Sequence, residues 1–347
     1  MKAYEFTSAS ALEGVYGAAI GIQLTDRDPG QPGPGQVRVA VKANSLNFVD
    51  LITLHGAYPV DGIIPLLDGA GVVEAVGDGV QRFKAGDRVV ANPHANWIAG
   101  PPAPDSSGMV LGIMANGMLA EAVILPESVL VALPASLSFE QGASLPCAGL
   151  SAWSSLSGGP SGYNVPPGST ILTQGTGGVS LFAVQFAKAM GCRVIATTSS
   201  AEKMDRLKVL GADHVINYNE RADWGVAVLE ATGGIGADLV VEVGGPNTMP
   251  QSIIAAKVGG RIAMVGIVGG LGSIDFLHML PINHKVLTLY ANGMGSRRDL
   301  ENMLRFVDVN GIQPVIDSTF AFDRAADAYR HFGSRAHIGK VVISHQA

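Results

Sequence analysis

Hydrophobic and polar positions divide the chain into two parts with different periods. In the first part, short runs alternate between apolar and polar residues, as in 37–41, 71–77 and 87–91, which predicts a β-rich unit. From about residue 150, short apolar runs alternate with segments of helical spacing. This alternation predicts an α/β domain with a doubly wound parallel sheet, whose ligands bind at the carboxyl ends of the strands.

The α/β part is expected to hold six parallel strands. Their predicted ranges are 171–173, 193–198, 214–218, 237–244, 261–267 and 285–291. After residue 296 the chain shows two helical patterns and a last strand, 339–344, which is expected to return to the β-rich unit. The predicted domains are therefore 1–149 with 294–347, and 150–293.

A glycine-rich turn separates the first predicted strand of the α/β part from its helix. It reads Gly175-Thr176-Gly177-Gly178-Val179-Ser180. Such a turn directs the free N–H groups and the positive end of a helix at one point, which suits a pyrophosphate. The third glycine of the G-x-G-x-x-G fingerprint is Ser180 here, interpreted as a small residue tolerated at a packing position.

The end of the second predicted strand favours NADP(H) as the cofactor, with NAD(H) possible. An acidic residue about twenty positions after the first glycine would bind the ribose diol of NAD, and none is present. Ser199, Ser200 and Lys203 stand there instead, and hydroxyls with an ammonium group accept a 2′-phosphate. The alternative for Lys203 is a solvated helix residue.

Composition narrows the class of protein. The chain has 347 residues, a net charge of −6, 15% charged residues and 45 glycines, which favours a glycine-rich enzyme over a disordered chain or a nucleic-acid-binding protein. Two cysteines, Cys147 and Cys192, form no disulfide framework. Neither a signal peptide nor a membrane helix is evident, so a cytoplasmic protein is expected.

The order of several motifs resembles the medium-chain dehydrogenase/reductase family over almost the whole chain. The motifs are Pro34-Gly-Gln-Val-Arg-Val, Asn47-Phe-Val-Asp50, Gly69-Ala-Gly-Val-Val-Glu-Ala-Val-Gly77, Phe83-Lys-Ala-Gly-Asp-Arg-Val, Leu145-Pro-Cys-Ala-Gly-Leu-Ser-Ala-Trp153, the Gly175 turn, Leu210-Gly-Ala-Asp-His-Val-Ile-Asn-Tyr218 and Gly339-Lys-Val-Val-Ile. The resemblance implies a Rossmann domain beside a β-rich, GroES-like catalytic domain.

The resemblance also implies a branch without zinc. Where zinc-dependent members have their first ligand, this chain has Asn47, and Leu67 replaces the histidine of the Gly-His-Glu element. Only Cys147 remains, and one thiolate does not form the three-ligand site that catalytic zinc needs. We therefore expect no metal, with Cys147 acting as a small hydrophobic residue.

Residues expected near substrate come from the same resemblance, to its quinone oxidoreductase branch. Asn47, Asp50 and Tyr58 are the candidate catalytic residues, and Tyr58 is a candidate proton donor. The alternatives are that Tyr58 packs at a turn and that Asp50 caps the following helix. Three further residues are the candidate substrate pocket: Leu67, and His94 and Trp97 in a long polar loop expected between Asn92 and Gly117.

The cofactor side of the resemblance adds residues after later strands. These are Tyr218, Gly244, Gly266, Ile267, Ser296 and Arg297, and Tyr218 has the alternative of simply ending a strand. The sixth strand is expected to form a sheet edge, and family members commonly pair this edge across a two-fold axis, so a homodimer is expected.

Taken together, these features predict a zinc-independent, NADPH-preferring oxidoreductase acting on a small molecule, a quinone or an α,β-unsaturated carbonyl. A zinc-free alcohol dehydrogenase or ketone reductase is the nearest alternative. A non-catalytic NADP(H)-binding sensor is a third, because a fold alone does not guarantee activity.

Overall fold

The computed structural model describes residues 1–106, 108–158, 162–270 and 272–346. The chain separates into two compact units, the first Met1–Leu150 with Gly295–Ala347 and the second Ser151–Met294. Each unit has its own sheet and hydrophobic core.

The first unit is built on a seven-stranded sheet. Its strand order is β16 (Ile316–Ala321), β17 (Lys340–Ser344), β3 (Gln36–Ser45), β4 (Asp68–Val76), β5 (Arg88–Ala91) and β7 (Leu130–Ala132), with β6 (Ala122–Pro126) also paired to β3. Alternate residues of β3, Val37, Val39 and Val41, are buried, which is the pattern that predicted a half-buried strand here. The elements from the amino terminus are β1 (Lys2–Thr7), β2 (Gly21–Asp26), β3 (Gln36–Ser45), α1 (Phe48–Leu54), β4 (Asp68–Val76), β5 (Arg88–Ala91), β6 (Ala122–Pro126), β7 (Leu130–Ala132) and α2 (Phe139–Ala143), followed by a π-helical turn, Leu145–Gly149.

The second unit confirms the predicted six-stranded parallel sheet. Its elements are α3 (Leu150–Leu156), β8 (Ser157–Gly158), β9 (Tyr163–Asn164), β10 (Thr170–Gln174), α4 (Gly178–Ala189), β11 (Arg193–Thr198), α5 (Ala201–Val209), β12 (His214–Asn217), α6 (Trp224–Ala231), β13 (Ala237–Glu242), α7 (Met249–Ala255), β14 (Ala256–Met264), α8 (Phe276–Lys285) and β15 (Thr288–Ala291). The strand order is β12-β11-β10-β13-β14-β15. The order reverses between β10 and β13, and such a switch point is where doubly wound sheets bind ligands.

The last part of the chain returns to the first unit. It forms α9 (Arg297–Val309), β16 (Ile316–Ala321), α10 (Ala325–Gly333) and β17 (Lys340–Ser344). The predicted return of the last strand is confirmed, since β17 pairs antiparallel with β3. Among the described residues, no helix is both long and apolar enough to cross a membrane.

The predicted sixth strand begins too early. Residue Lys285 ends helix α8, and β15 starts only at Thr288. The Lys285 ammonium group donates hydrogen bonds to the carbonyls of Ile253, Ile254 and Ala256 at 3.1, 2.6 and 2.7 Å, and so caps the end of α7. An apolar run directly after a lysine does not reveal such a cap, because its acceptors lie in another element.

The loop after β5 also differs from its sequence-based description as a long polar connection. Bridges join His94 to Val110 and Leu111 to Ala115. The side chains of Val110 and Leu111 are buried. The second half of the loop is therefore a folded, partly apolar segment.

Candidate cofactor site and buried polar cluster

The glycine turn lies at the carboxyl end of β10, beside the switch point. The backbone of Gly175 has a φ of +73°, a left-handed conformation that glycine adopts without strain, and its N–H donates to the Thr197 carbonyl at 2.7 Å. Helix α4 begins at Gly178, directly after Gly177. Thr176 is buried, whereas Gly177 is exposed and Val179 is half-buried. The free N–H groups of the first turn of α4 thus lie at this edge of the sheet.

Ser180 does more than fill a packing position. Its side chain is buried, and its hydroxyl donates to the carbonyl of Gln174 at 2.5 Å. This bond ties the first turn of α4 to the last residue of β10. The serine in the third fingerprint position therefore helps to close the turn.

The residues predicted to bind a 2′-phosphate lie just after β11, and Tyr218 lies after the neighbouring strand β12. The hydroxyl of Ser200 accepts a bond from the Lys203 backbone N–H at 3.4 Å and caps α5. The half-buried Lys203 forms no ion pair within the described residues, so its ammonium group is available. Tyr218 follows β12 and is 40% exposed.

Asn219 is a residue that the sequence analysis missed at this end. Its side-chain amide donates to the Ser199 carbonyl at 2.8 Å, and its backbone N–H donates to the Asn217 side chain at 3.1 Å. It therefore links the loop after β12 to the end of β11. An asparagine shortly after a strand is a turn signal, and the sequence contained this signal.

The loops after β13 and β14 are held side by side. Val268 N–H donates to the Val243 carbonyl at 2.9 Å, and Gly269 N–H donates to the Gly244 carbonyl at 2.8 Å. Gly244, Gly266 and Ile267, the predicted cofactor residues after these strands, all lie in these paired loops. The structure brings them to the same edge as the glycine turn.

Ser296 and Arg297 belong to the first unit, where both have partners. The hydroxyl of Ser296 donates to Asp299 at 2.6 Å and caps α9. The Arg297 guanidinium donates to the Ser128 carbonyl at 3.3 Å and lies 3.3 Å from Glu301. Their contact with a cofactor stays a prediction.

A buried polar cluster in the first unit surrounds Asn47. The amide nitrogen of Asn47 donates to Asp68 Oδ2 at 2.9 Å, and its amide oxygen accepts from Lys340 Nζ at 2.6 Å. Lys340 Nζ also donates to the Leu46 carbonyl at 2.8 Å and lies 3.6 Å from Asp68 Oδ2. These residues come together because β17, β3 and β4 are neighbours in the sheet. Asn47 is thus held at both ends of its amide.

Burial changes the acidity of the two carboxyl groups in this cluster. The pKa of Asp50 is raised to about 8, mainly by burial, although the Asn47 backbone N–H donates to it at 2.7 Å and opposes the rise. Burial raises the pKa of Asp68 to about 6, against the opposing effects of Lys340 and Asn47. Near pH 7, Asp50 is therefore mostly protonated and Asp68 mostly ionised. The structure shows Asp50 in the capping position at the start of α1, the alternative that the sequence left open.

The other candidate residues of the first unit differ in exposure. Tyr58 is half-buried against the core, and its hydroxyl makes no hydrogen bond within the described ranges. Leu67 is buried. Trp97 is also buried, donates to the Gly100 carbonyl at 2.9 Å, and packs edge-on against His94 with ring centroids 5.7 Å apart. Tyr58 therefore combines a hydroxyl that has no partner in the described part of the chain with an apolar environment.

The residues present do not fit a catalytic zinc ion. Leu67 has no donor atom, and the Asn47 amide is already bonded to Asp68 and Lys340. Cys147 is only partly exposed, and burial together with the Asp68 charge raises the pKa of its thiol well above the usual value, which disfavours the thiolate that binds metals. In the part of the chain that the structure describes, no three His, Cys, Asp or Glu side chains are grouped as metal ligands.

A parallel sheet in this order, with a glycine turn at its switch point, defines a dinucleotide-binding protein. Residues 33–135 match the family model described as an alcohol dehydrogenase GroES-like domain, and residues 178–309 match that described as a zinc-binding dehydrogenase.

Similar proteins extend these matches over nearly the full length. A zinc-type alcohol dehydrogenase-like protein of Schizosaccharomyces pombe is 41% identical and covers 91% of this chain and 92% of its own. A solved NAD-dependent alcohol dehydrogenase is 35% identical, with a TM-score of 0.87 over 99% of both chains. The Escherichia coli quinone oxidoreductase, solved in complex with NADPH, is 26% identical, with a TM-score of 0.81 over 99% of this chain and 100% of its own.

The chain belongs to the medium-chain dehydrogenase/reductase family, and it is an NAD(P)-dependent oxidoreductase. The predictions of family, fold and enzyme class are confirmed.

Proposed function

We propose that the protein is a zinc-independent, NADPH-preferring oxidoreductase whose hydride acceptor is a quinone or an α,β-unsaturated carbonyl. The observation that carries this proposal is the Asn47 amide, fixed between Asp68 and Lys340 where zinc-dependent relatives have a ligand. The buried Leu67 supplies no second ligand. Hydride transfer to an electron-poor conjugated acceptor needs less polarisation of the carbonyl group than transfer to an isolated ketone. This suits the proposed site, in which no zinc ion polarises the carbonyl.

The NADPH preference rests on the ends of β11 and β12. Lys203 offers an ammonium group without an ion-pair partner in the described residues, and Ser199 and Ser200 supply hydroxyls beside it. The similarity to a quinone oxidoreductase solved with NADPH supports this preference. A carboxylate that would repel a 2′-phosphate is absent from the end of β11.

In this proposal the bound nicotinamide supplies the hydride, and the chain supplies binding, orientation and a proton. The α4 N-terminus and the glycine turn hold the pyrophosphate. Tyr58, or water, delivers the proton that the reduced acceptor takes up. Because both ends of the Asn47 amide are bonded within the chain, we assign Asn47 a supporting role instead of direct contact with the acceptor.

The second candidate is oxidation of an alcohol or reduction of a ketone. It is favoured by the similarity to the Schizosaccharomyces pombe protein and to the NAD-dependent alcohol dehydrogenase. In that case Tyr58 would exchange the proton of the hydroxyl group. The cofactor geometry is shared by both candidates, so substrates must separate them.

A substrate panel tests the proposal. NADPH and NADH oxidation is followed with quinones, enones and simple ketones, and alcohols are tested with NADP⁺, each with and without a chelator. We expect turnover of quinones or enones with NADPH, unaffected by the chelator. Turnover of alcohols alone would favour the second candidate, and inhibition by the chelator would contradict zinc independence.

The Lys203→Ala substitution tests the 2′-phosphate site. Losing one charge-assisted hydrogen bond at a half-exposed position should raise the KM for NADPH about 10-fold. The KM for NADH should stay within about two-fold, since NADH lacks the phosphate. Lys208→Ala is the matched control, because Lys208 lies on the same helix and pairs with Asp205. Equal losses for the two cofactors would rule out a 2′-phosphate contact.

We also propose a homodimer and a cytoplasmic location. The support for the dimer is that β15 is the last strand in the sheet order and so offers an edge for pairing. Light scattering at micromolar concentration should give twice the chain mass. A monodisperse monomer would contradict the dimer.

A further inference from the structure

Glu242 is a buried carboxylate that the proposed chemistry does not use. It is the last residue of β13, at the switch point of the sheet, and its side chain has no exposure to solvent. A carboxylate in such a place is costly unless hydrogen bonds compensate it. Its partners therefore indicate what it does.

Five groups donate to the two oxygens of Glu242. Oε1 accepts from the backbone N–H of Gly244 at 2.7 Å, that of Gly245 at 2.9 Å and the Thr248 hydroxyl at 2.5 Å. Oε2 accepts from the Gln174 side chain at 2.7 Å and from the Ser252 hydroxyl. All five partners donate, so both oxygens of Glu242 act only as acceptors. A side chain with its own N–H group at this position would place that N–H against at least one of these donors, and the two could not form a hydrogen bond.

The two backbone donors fix the loop after β13. With the Gly244 and Gly245 N–H groups turned towards Glu242, the Val243 and Gly244 carbonyls accept from Val268 and Gly269 in the next loop. Gly245 has a φ of +84°, and a Cβ there would lie 3.0 Å from the Ile267 backbone. The carboxylate thereby sets the conformation of Gly244 and, through the paired loop, of Gly266 and Ile267.

The Gln174 contact extends the same network to the glycine turn. Gln174 precedes Gly175, and its carbonyl accepts from the Ser180 hydroxyl. Its side-chain amide donates to Glu242, and its side-chain oxygen accepts from Val243 and Gly244 N–H at 3.3 Å each. One carboxylate thus connects the turn after β10 with the loops after β13 and β14.

We infer that Glu242 is a positioning residue for the dinucleotide, acting through the three strand-end loops and touching no part of the cofactor itself. The inference rests on the proposed binding of the cofactor at this edge. It differs from a purely structural role, which would lower stability and leave the affinity of the folded protein unchanged.

Glu242→Gln is the test, because it preserves shape and replaces one acceptor by a donor. By titration calorimetry, Kd for NADPH should rise about 10- to 100-fold. Kd for NADH should rise by the same factor, since the residues predicted to contact the 2′-phosphate lie between the end of β11 and the first turn of α5. At saturating NADPH, kcat and the KM for the acceptor should stay within about three-fold of wild type.

Asp238→Asn is the matched control, on the same strand at its amino end. Asp238 accepts from the Thr170 N–H at 2.8 Å and pairs with Lys257, so its loss also removes a carboxylate with backbone contacts. We expect lower thermal stability with Kd for NADPH within about two-fold of wild type. Thr248→Val removes a single donor to Glu242 and should give a smaller rise in Kd, which serves if Glu242→Gln does not fold.

Two results would overturn the inference. The first is wild-type affinity for both nucleotides in Glu242→Gln, or in Thr248→Val if Glu242→Gln does not express. The other is an equal loss of affinity in Asp238→Asn, which would show a general effect of stability. If the wild-type protein itself bound neither nucleotide, the proposed function would fail instead.

Discussion

Lys340→Met is expected to destabilise the protein by about 3–5 kcal/mol at pH 8, because it leaves the Asp68 carboxylate buried without its cation. Lys340 and Asp68 are both almost fully buried, and Lys340 Nζ reaches Asp68, Asn47 and the Leu46 carbonyl. Because both side chains are buried, water does not solvate the Asp68 carboxylate when the ammonium group is lost. Urea unfolding at several pH values measures the effect.

The loss should depend on pH in a defined direction. Burial already raises the pKa of Asp68 to about 6, and Lys340 opposes this rise, so removing Lys340 raises the pKa further. A carboxyl group with a raised pKa binds more protons in the folded state, so stability falls as pH rises from the unfolded pKa to the folded one. In wild type this fall ends near pH 6, whereas in the variant it continues above pH 6. The difference between the two proteins should therefore be smaller at pH 5 than at pH 8, and above pH 6 it should grow by at most about 1.4 kcal/mol for each pH unit.

The double variant Lys340→Met with Asp68→Asn is the control. Asp68→Asn alone leaves Lys340 as an unpaired buried cation and should also be strongly destabilised. The double variant carries neither charge, and the Asn at position 68 still offers an oxygen to the Asn47 amide, so it should recover about 2 kcal/mol or more relative to additivity. Additive losses without pH dependence would show that the pair does not act as a unit.

Lys340 and Asp68 also show where prediction from sequence ends. A lysine in an apolar strand and an aspartate before Gly69 were both visible, but they are far apart in the chain. Only the order β17-β3-β4 makes them neighbours. Strand pairing in the β-rich unit is non-local, and apolar and polar alternation alone does not determine which strands pair.

The second unit was more predictable, because its connections are local. Each strand and the following helix have their own period, and right-handed crossovers leave few possible strand orders. Glu242 is an example of what the local pattern did not predict. One acid in the run Leu239–Val243 signals a buried charge, but its five donors come from the end of β10, the loop after β13 and helix α7. Asp50 is the opposite case, since an acid three residues after Asn47 matches a helix-capping pattern, and the structure shows this contact.

Gly177→Ala is expected to abolish tight NADPH binding while leaving the fold intact. Gly177 has a φ of −76°, which any residue adopts, and a Cβ placed there meets no atom within 4 Å. The chain itself therefore does not need glycine at this position. A requirement for glycine would come from a bound group that approaches the backbone closely, as a pyrophosphate does at this point of the fingerprint.

We expect Kd for NADPH and for NADH to rise about 30-fold or more, from loss of charge-assisted bonds to the phosphates. The free energy of unfolding should change by less than about 1 kcal/mol, the cost of a poorer residue before α4. Gly168→Ala is the control: Gly168 precedes β10 at its opposite end, its φ is +83°, and a Cβ there also meets nothing within 4 Å. That variant should lose stability through backbone strain and keep its affinity for both nucleotides. The two substitutions thus separate a requirement of the fold from a requirement of the ligand. If the Gly177→Ala protein bound NADPH as wild type does, the pyrophosphate would not lie at this turn.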